Sequence, residues 1–330
     1  MTWRASAVLV PLLGCMAQPL AADPTPEGKT PAVVLISVDG LRPEVIRPEV
    51  MPFLHGLEAR AAWTFEARTD PSQTLTLPNH FCMVTSRPTD GDGGHGITFN
   101  GYADTIVHQA RGAYVASAFD VAHDHGLATG FFTGKTKLNV ITHAYDAEHG
   151  AQDLSGDDHG PAKIDLLNEA PADDDETLAT LEAALPLRAP FLLFVHLYDT
   201  DDTGHSLGFN PGEGSAYTEA ARRTDQRLAR LASQIGSQVG VLPTFILTSD
   251  HGGEGFDHAD PTRDVNSRIP LFVWGDGING TDLYSLNVPA RDRVHAPIRN
   301  CELGNLAMSL LGLPPIPGSF FNRSLDLRVR

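Results

Sequence analysis

Cysteine is scarce in this sequence, which limits the kinds of site that the chain can build. The 330 residues include only Cys15, Cys82 and Cys301, and no two of these are spaced as CxxC. A cysteine zinc cluster is therefore excluded. If the chain is exported and the first cysteine is removed, the other two could form a disulfide. The sequence alone does not show whether they lie close together.

Positive charge is also scarce. Lys and Arg together number 24 against 41 Asp and Glu, which gives a formal net charge of −17. Such a surface repels nucleic-acid backbones and anionic membranes, so we expect neither as a partner. A small-molecule phosphate ester stays compatible with this charge, because bound metal ions invert the local field. The composition leaves the oligomeric state open.

Long apolar runs are missing after the N-terminus, so no transmembrane segment is predicted. The short apolar stretch that follows Arg4 ends in small residues through Ala22, which is typical of a signal peptide at residues 1–22. We therefore expect an exported protein, either periplasmic or secreted. The sequence LLGC offers an alternative, a lipoprotein anchored through Cys15.

The chain does contain apolar runs that end in acidic residues. Three runs are followed closely by aspartates: Val33–Val38 by Asp39, Phe191–Leu197 by Asp199, Asp201 and Asp202, and Phe245–Leu247 by Asp250. Unbroken runs of this kind indicate strands buried on both faces, as in a parallel sheet. The ligand crevice of such a sheet lies beyond the carboxyl ends of its strands. We therefore expect these carboxylates to meet at one edge.

Amphipathic segments alternate with these strands. Their apolar spacing predicts helices near residues 173–185, 215–235 and 302–312. The alternation predicts an α/β fold, with a doubly wound, mostly parallel central sheet and helices on both faces. We expect one catalytic domain over residues 30–325, with an irregular acidic loop or small lid around residues 146–175.

Two motifs place histidines beside the carboxylates: DDTGH at residues 201–205 and DHGGEGFDH at residues 250–258. In the first, we expect a tight turn at Gly204 that lets aspartate and histidine close on one ion. The chain then offers six oxygen or nitrogen ligands: Asp39, Asp201, His205, Asp250, His251 and His258. Six ligands suit two three-ligand sites with open positions, as in catalytic zinc. Two ions ~4 Å apart can hold both oxygens of an in-line phosphoryl displacement.

The order of motifs resembles the type I phosphodiesterase / nucleotide pyrophosphatase family of the alkaline phosphatase superfamily. The matching motifs are VDG at Asp39, TLPNH at Thr76, HGITFN at Asn100, DDTGH and SDHGG, in a region from about Pro31 to the C-terminus. The resemblance implies two divalent metal ions per chain, with zinc expected. Asp and His ligands also suit manganese or iron.

By this resemblance, Thr76 is the nucleophile at the N-terminus of a helix, where free N–H groups favour an anion. The alternative is that Thr76 only caps that helix. The ligands implied for one ion are Asp39, Thr76, Asp250 and His251. Those implied for the other are Asp201, His205 and His258, with His295 as the alternative to His258. Asn100 would donate a hydrogen bond to a phosphate oxygen.

Two departures bear on the substrate. Leu77 stands where nucleotide-hydrolysing members of the family usually carry an aromatic residue that stacks on the base, so the usual contact for a nucleotide is missing. Lys135 and Lys137 follow the apolar pair Phe131–Phe132, and a related phosphonate-cleaving branch carries lysines in a similar context. The alternative for both is a solvated lysine. We expect Asn100, Leu77 and Lys135 to contact substrate.

The predicted function is a two-metal phosphoric ester hydrolase, acting as a phosphodiesterase or pyrophosphatase through a phospho-threonine. A phosphomonoesterase or phosphonate hydrolase on the same scaffold is the main alternative. A sulfatase is less expected, because TLPNH lacks the Cys or Ser that sulfatases convert to formylglycine. A non-catalytic binding protein would have lost ligands, and none is lost here.

Overall fold

The computed structural model of the chain describes residues 29–103, 105–151, 156, 159–168, 173–185, 190–287 and 297–327. The predicted signal peptide with Cys15 lies outside these residues, as does His295, and the predicted loop at 146–175 lies partly outside them. Among the helices that are described, none has both the length and the hydropathy of a membrane span.

In the described part of the chain, the strands form one eight-stranded sheet. They are β1 (Ala32–Val38), β2 (Ala62–Arg68), β3 (Ala128–Phe132), β4 (Leu166–Leu167), β5 (Phe191–Leu197), β6 (Thr244–Thr248), β7 (Arg268–Trp274) and β8 (Thr281–Asp282). Their order across the sheet is β4-β3-β5-β1-β6-β7-β2-β8. Neighbours are parallel, except that β7 runs antiparallel to β6 and β2. The predicted α/β class with a mostly parallel sheet is confirmed.

Helices cover both faces of the sheet. They are α1 (Pro52–Gly56), α2 (Thr76–Thr85), α3 (Val107–Arg111), α4 (Ala118–Asp124), α5 (Asn139–Ala144), α6 (Asp174–Ala184), α7 (Asp199–Leu207), α8 (Ala216–Gln238), α9 (Asp264–Ser267), α10 (Leu283–Leu286) and α11 (Leu303–Leu311). Short 3-10 turns lie at Pro43–Val45, Leu57–Ala59, Thr136–Leu138 and Asn300–Glu302.

Two hydrophobic clusters pack against the two faces. In β1, Val33 and Leu35 belong to one cluster, while Val34 and Ile36 belong to the other. Since side chains alternate along a strand, both faces of this strand must be covered. This explains why the predicted strands read as unbroken apolar runs.

A disulfide joins α2 to the C-terminal part of the fold. It links Cys82 in α2 to Cys301 in the turn Asn300–Glu302, across 219 residues of sequence. Both cysteines are fully buried and form a small cluster with Phe321. The helix that begins at Thr76 is therefore covalently tied to a distant segment of the chain.

Candidate active site

Three neighbouring strands end at one edge of the sheet and bring carboxylates together there. β1 pairs in parallel with both β5 and β6, so all three strands end on the same side. Asp39 directly follows β1, Asp250 lies two residues beyond β6, and Asp201 lies in the first turn of α7. All three side chains are buried. The convergence expected from the acid-ended strands is present for these three aspartates. Asp199 instead pairs with Arg223 and Arg227, and Asp202 is exposed.

Asp201 and His205 lie on a helix rather than across a tight turn. They are one turn apart within α7, and Oδ1 of Asp201 lies 3.4 Å from Nε2 of His205. The expectation of a turn at Gly204 was wrong. A Cβ at Gly204 would lie 2.3 Å from the ring of Phe209. Glycine therefore makes room here for a packed aromatic side chain.

The first group of possible ligands consists of Asp39, Asp250 and His251. Nε2 of His251 lies 3.2 Å from a carboxylate oxygen of Asp39 and 3.3 Å from one of Asp250. Nδ1 of His251 donates to the backbone carbonyl of Gly252 at 2.7 Å. In the neutral ring this bond leaves the Nε2 lone pair facing the two carboxylates, which is the orientation of a metal ligand.

The second group consists of Asp201, His205 and His258. Nε2 of His258 lies 3.2 Å from Nε2 of His205 and 3.9 Å from Oδ1 of Asp201. Nδ1 of each histidine donates to a backbone carbonyl, that of Phe256 for His205 and that of Thr74 for His258. In the neutral rings the two Nε2 lone pairs therefore face each other. A shared cation would remove that repulsion.

Buried, unpaired carboxylate oxygens in these two groups also favour the binding of a cation. Oδ1 of Asp39, Oδ1 of Asp201 and Oδ2 of Asp250 have no hydrogen-bond partner among the described residues. Leaving such oxygens unpaired is costly. Burial and the charge of Asp39 raise the pKa of Asp250 to about 7. In each group, one donor atom per residue lies within 4.8 Å of the others. Both groups therefore fit a divalent cation.

Lys135 lies between the two groups. Its Nζ is 2.6 Å from Asp39 and also contacts Asp201, and its side chain is only 13% exposed. Burial would lower the pKa of this ammonium, but the two carboxylates outweigh burial and raise the pKa above its ordinary value. The alternative of a solvated lysine is contradicted. A contact between Lys135 and substrate stays a prediction.

Thr76 is the first residue of α2, and its side chain is buried. The N-cap position belongs to Leu75, which makes no side-chain capping hydrogen bond. Oγ1 of Thr76 lies 3.5 Å from Nε2 of His251 and 3.5 Å from Nζ of Lys137. The hydroxyl therefore faces the first group and an ammonium, and the structure does not support the capping alternative.

Leu77 and Asn100 interact through the backbone N–H of Leu77 and the side chain of Asn100. The Leu77 side chain is fully buried in the core, which contradicts the expectation that it contacts substrate. Position 77 follows the nucleophile candidate into the helix, and the helix turns its side chain inward. The Leu77 N–H donates to Oδ1 of Asn100 at 2.9 Å. Because that oxygen is used, the side-chain N–H groups of Asn100 are the atoms left to donate.

Three polar residues of this region were missing from the predicted site. Lys137 approaches the Thr76 hydroxyl, and Nδ1 of His80 donates to the Thr76 carbonyl at 2.8 Å. Nε2 of His196 lies 3.0 Å from Asp39. A signal existed for His196, because it is a polar residue inside the buried apolar run of β5. His80 belongs to TLPNH, where its role in holding the first helical turn has no separate signature.

The family model for Type I phosphodiesterase / nucleotide pyrophosphatase matches residues 33–303. A GPI ethanolamine phosphate transferase 1 from Schizosaccharomyces pombe is 24% identical over 323 residues, which cover 87% of this chain and 32% of the relative. Two curated relatives match most of this chain, and the chain spans about a third of the length of each.

Two solved structures share the fold. Murine ectonucleotide pyrophosphatase / phosphodiesterase 5 aligns with a TM-score of 0.58 at 15% identity, covering 86% of this chain and 96% of that one. A protein in the alkaline phosphatase superfamily from Vibrio parahaemolyticus aligns with a TM-score of 0.58 at 12% identity, covering 91% and 71%. At these identities the likeness concerns the fold alone.

Proposed function

Because this chain belongs to the type I phosphodiesterase / nucleotide pyrophosphatase family, we propose that it cleaves phosphodiesters by way of a covalent phospho-Thr76. The observation that most supports this is the position of the Thr76 hydroxyl, 3.5 Å from His251 in a buried group of acidic and imidazole ligands. The fold is that of the alkaline phosphatase superfamily, and the matching family is one of phosphodiesterase-type enzymes.

The proposed activity uses two divalent metal ions, with zinc as the expected metal. One would be held by Asp39, Thr76, Asp250 and His251, and the other by Asp201, His205 and His258. When bound, such ions supply Lewis-acid chemistry that lowers the pKa of a hydroxyl nucleophile and neutralises charge on the transferring phosphate. Manganese or iron would suit the same donors, so the choice depends on metal availability.

The residues of the chain carry out two displacements in this proposal. Oγ1 of Thr76 bonds to phosphorus as the bond to the first alcohol breaks; the hydroxyl loses its proton and the departing alkoxide gains one. Water then attacks phosphorus and gives up a proton, the bond to Thr76 breaks, Oγ1 of Thr76 regains a proton, and a phosphomonoester leaves. The Asn100 amide donates to a non-bridging oxygen, and the Lys137 ammonium balances the charge that develops there.

Leu77 supports a substrate other than a nucleotide. With its side chain in the core, it provides no surface for a base next to Thr76. A substrate without a base would fit this position. The second candidate function is transfer of phosphoethanolamine, which is the activity named for the Schizosaccharomyces pombe relative. The two functions share the phospho-threonine and differ in the acceptor, which is water for a hydrolase and another alcohol for a transferase.

We also propose that the protein works in an oxidising compartment outside the cytoplasm. The disulfide between Cys82 and Cys301 supports this, because such bonds persist mainly in exported proteins. The proposal agrees with the predicted signal peptide at residues 1–22.

A panel of esters on zinc-loaded protein tests the function. It pairs an aryl phosphodiester with the corresponding monoester, phosphonate monoester and sulfate, and compares kcat/KM. We expect the diester to be cleaved fastest and chelation to abolish its cleavage. Faster cleavage of the monoester or the phosphonate would replace the proposal by the corresponding alternative. Absence of cleavage with all four esters in metal-loaded, folded protein would reject the proposed activity on such esters.

Pre-steady-state kinetics separate hydrolysis from transfer. The probe is a chromogenic diester that carries phosphoethanolamine. A hydrolase releases the chromophore continuously in water. A transferase releases about one equivalent per chain and then stalls until an alcohol acceptor is added. We expect continuous release, and a stalled burst would assign the protein to the transferases.

A further inference from the structure

A separate cluster of metal-ligand side chains lies outside the two groups around Thr76. The sequence HAYDAEH covers residues 143–149. His143 lies in the last turn of α5, and Asp146 and His149 lie just beyond that helix. Nδ1 of His143 is 2.8 Å from one carboxylate oxygen of Asp146, and Nδ1 of His149 is 3.0 Å from the other. No residue of this cluster belongs to the candidate active site.

Backbone hydrogen bonds hold the cluster in place. Oδ1 of Asp146 accepts the N–H groups of Glu148 at 2.8 Å and His149 at 2.9 Å. The two imidazole rings pack with their centroids 4.4 Å apart and their planes at 67°. One donor atom from each of the three side chains lies within 4.8 Å of the others. The donors therefore converge already, which reduces the ordering that ion binding would require.

We propose that His143, Asp146 and His149 bind a divalent transition-metal ion of the zinc type. Two imidazole nitrogens and one carboxylate are donors that zinc and iron accept in sites with open coordination positions. Each neutral imidazole would move its proton from Nδ1 to Nε2, so neither ring has to lose a proton. The ion then replaces the two contacts between imidazole and carboxylate.

The surroundings give the ion access and space. The side chains of His143 and Asp146 are 47% and 37% exposed. Together with Asn139 and Asn168 they line part of a cavity of about 310 Å³. Water or a small ligand can therefore occupy the remaining coordination positions. Since α5 follows the turn that carries Lys137, the ion would stabilise a helix next to the candidate active site without joining its ligands.

Zinc content at equilibrium tests this site. Wild type, the double variant His143→Ala/His149→Ala, and His258→Ala with and without these two changes are dialysed against buffered Zn²⁺ alone. The bound metal is then measured by mass spectrometry. We expect the double variant to bind one ion fewer than wild type. We expect the same loss again in the His258→Ala background, because the sites share no ligand. The readout is metal content, so it does not depend on the proposed activity.

Two further variants make the test specific. Asp146→Asn keeps the shape of the side chain and should also lose one ion. His55→Ala is the matched control, because His55 pairs with Glu58 at 2.7 Å but joins no group of three metal-ligand side chains among the described residues. It should keep the wild-type zinc content. Thermal unfolding with and without Zn²⁺ checks that each variant folds. Equal zinc content in wild type, Asp146→Asn and the double variant would overturn the proposal.

Discussion

Nζ of Lys137 lies 3.5 Å from Oγ1 of Thr76. Lys137 is set in a partly buried position, where burial and the neighbouring Lys135 lower the pKa of its ammonium. A positive charge this close to a hydroxyl favours the alkoxide form, and the effect grows as water is excluded. The lysine therefore has a direct bearing on the reactivity proposed for Thr76.

We expect Lys137→Met to lower kcat for the preferred ester by roughly 10²-fold, which is typical for loss of a group that stabilises developing charge. Bound metal should not change, because Lys137 belongs to neither ligand group. Lys137→Arg should recover part of the activity, and Lys29→Met, at an exposed position, should leave it intact. Steady-state kinetics with metal analysis measure these effects. Wild-type kcat in Lys137→Met would remove the residue from the reaction.

Replacement of Thr76 separates a nucleophile from a structural residue. A cap residue would cost ~1 kcal/mol of stability when changed to Ala and leave turnover intact. As nucleophile, Thr76→Ala should instead lower turnover by roughly 10³-fold or more with little change in stability. Thr76→Ser keeps the oxygen and should retain partial activity, limited by its freer χ1. Acid quench and mass spectrometry should locate phosphate on a peptide spanning residues 71–87. Turnover like that of wild type in Thr76→Ala would refute the role.

His258→Ala tests the second ligand group. The variant should lose one metal ion and most of its activity, because only Asp201 and His205 would remain as ligands in this group. Elemental analysis of dialysed protein measures the loss. His295→Ala is the comparison, because His295 was the alternative ligand. If the second variant loses the ion and the first keeps it, the ligand role passes to His295.

Glu302 should make stability fall as pH rises. Its side chain is 2% exposed, and neither carboxylate oxygen has a hydrogen-bond partner among the described residues. Burial raises its pKa to about 7 from the ordinary 4.5, against the opposing charge of Arg323 at 3.6 Å. The folded state therefore keeps this proton in a range where the unfolded state has lost it. Glu302 contributes its full stabilisation to the folded state below about pH 4.5. As the pH rises to about 7, the free energy of unfolding falls by up to about 3 kcal/mol.

Glu302→Gln removes this titration. Urea unfolding should give the variant a stability close to that of wild type at pH 5 and a higher stability at pH 8. The exposed Glu49→Gln serves as the control and should show the wild-type dependence on pH. A variant that is less stable than wild type at both pH values would contradict the account.

The sheet and its acidic edge could be predicted because both depend on local patterns. An unbroken apolar run followed by aspartate marks a strand that is covered on both faces, and β1, β5 and β6 all have this pattern. The direction of β7 could not be predicted in this way. It depends on which strands lie beside it, and RIPLFVW reads the same in a parallel or an antiparallel position.

The errors within the site have packing causes. Gly204 weakens a helix on local propensity, so DDTGH indicated a turn. The ring of Phe209 fills the space beside that glycine, and this tertiary contact outweighs the local preference. The motif predicts a substrate contact for Leu77, whereas the orientation of its side chain is set by the core under α2. The sequence does not predict the burial of Lys135, because that burial depends on residues 66 and 96 positions away.

The tie between Cys82 and Cys301 has a consequence for how the protein is made. Chains emerge from the ribosome N-terminus first, so the helix with Thr76 is synthesised more than two hundred residues before its partner cysteine. A fragment that stops short of Cys301 leaves a free thiol in that helix and lacks the segment against which the helix packs. The bond can therefore close only after Cys301 has been synthesised, so its presence in a purified sample shows that the two segments have paired.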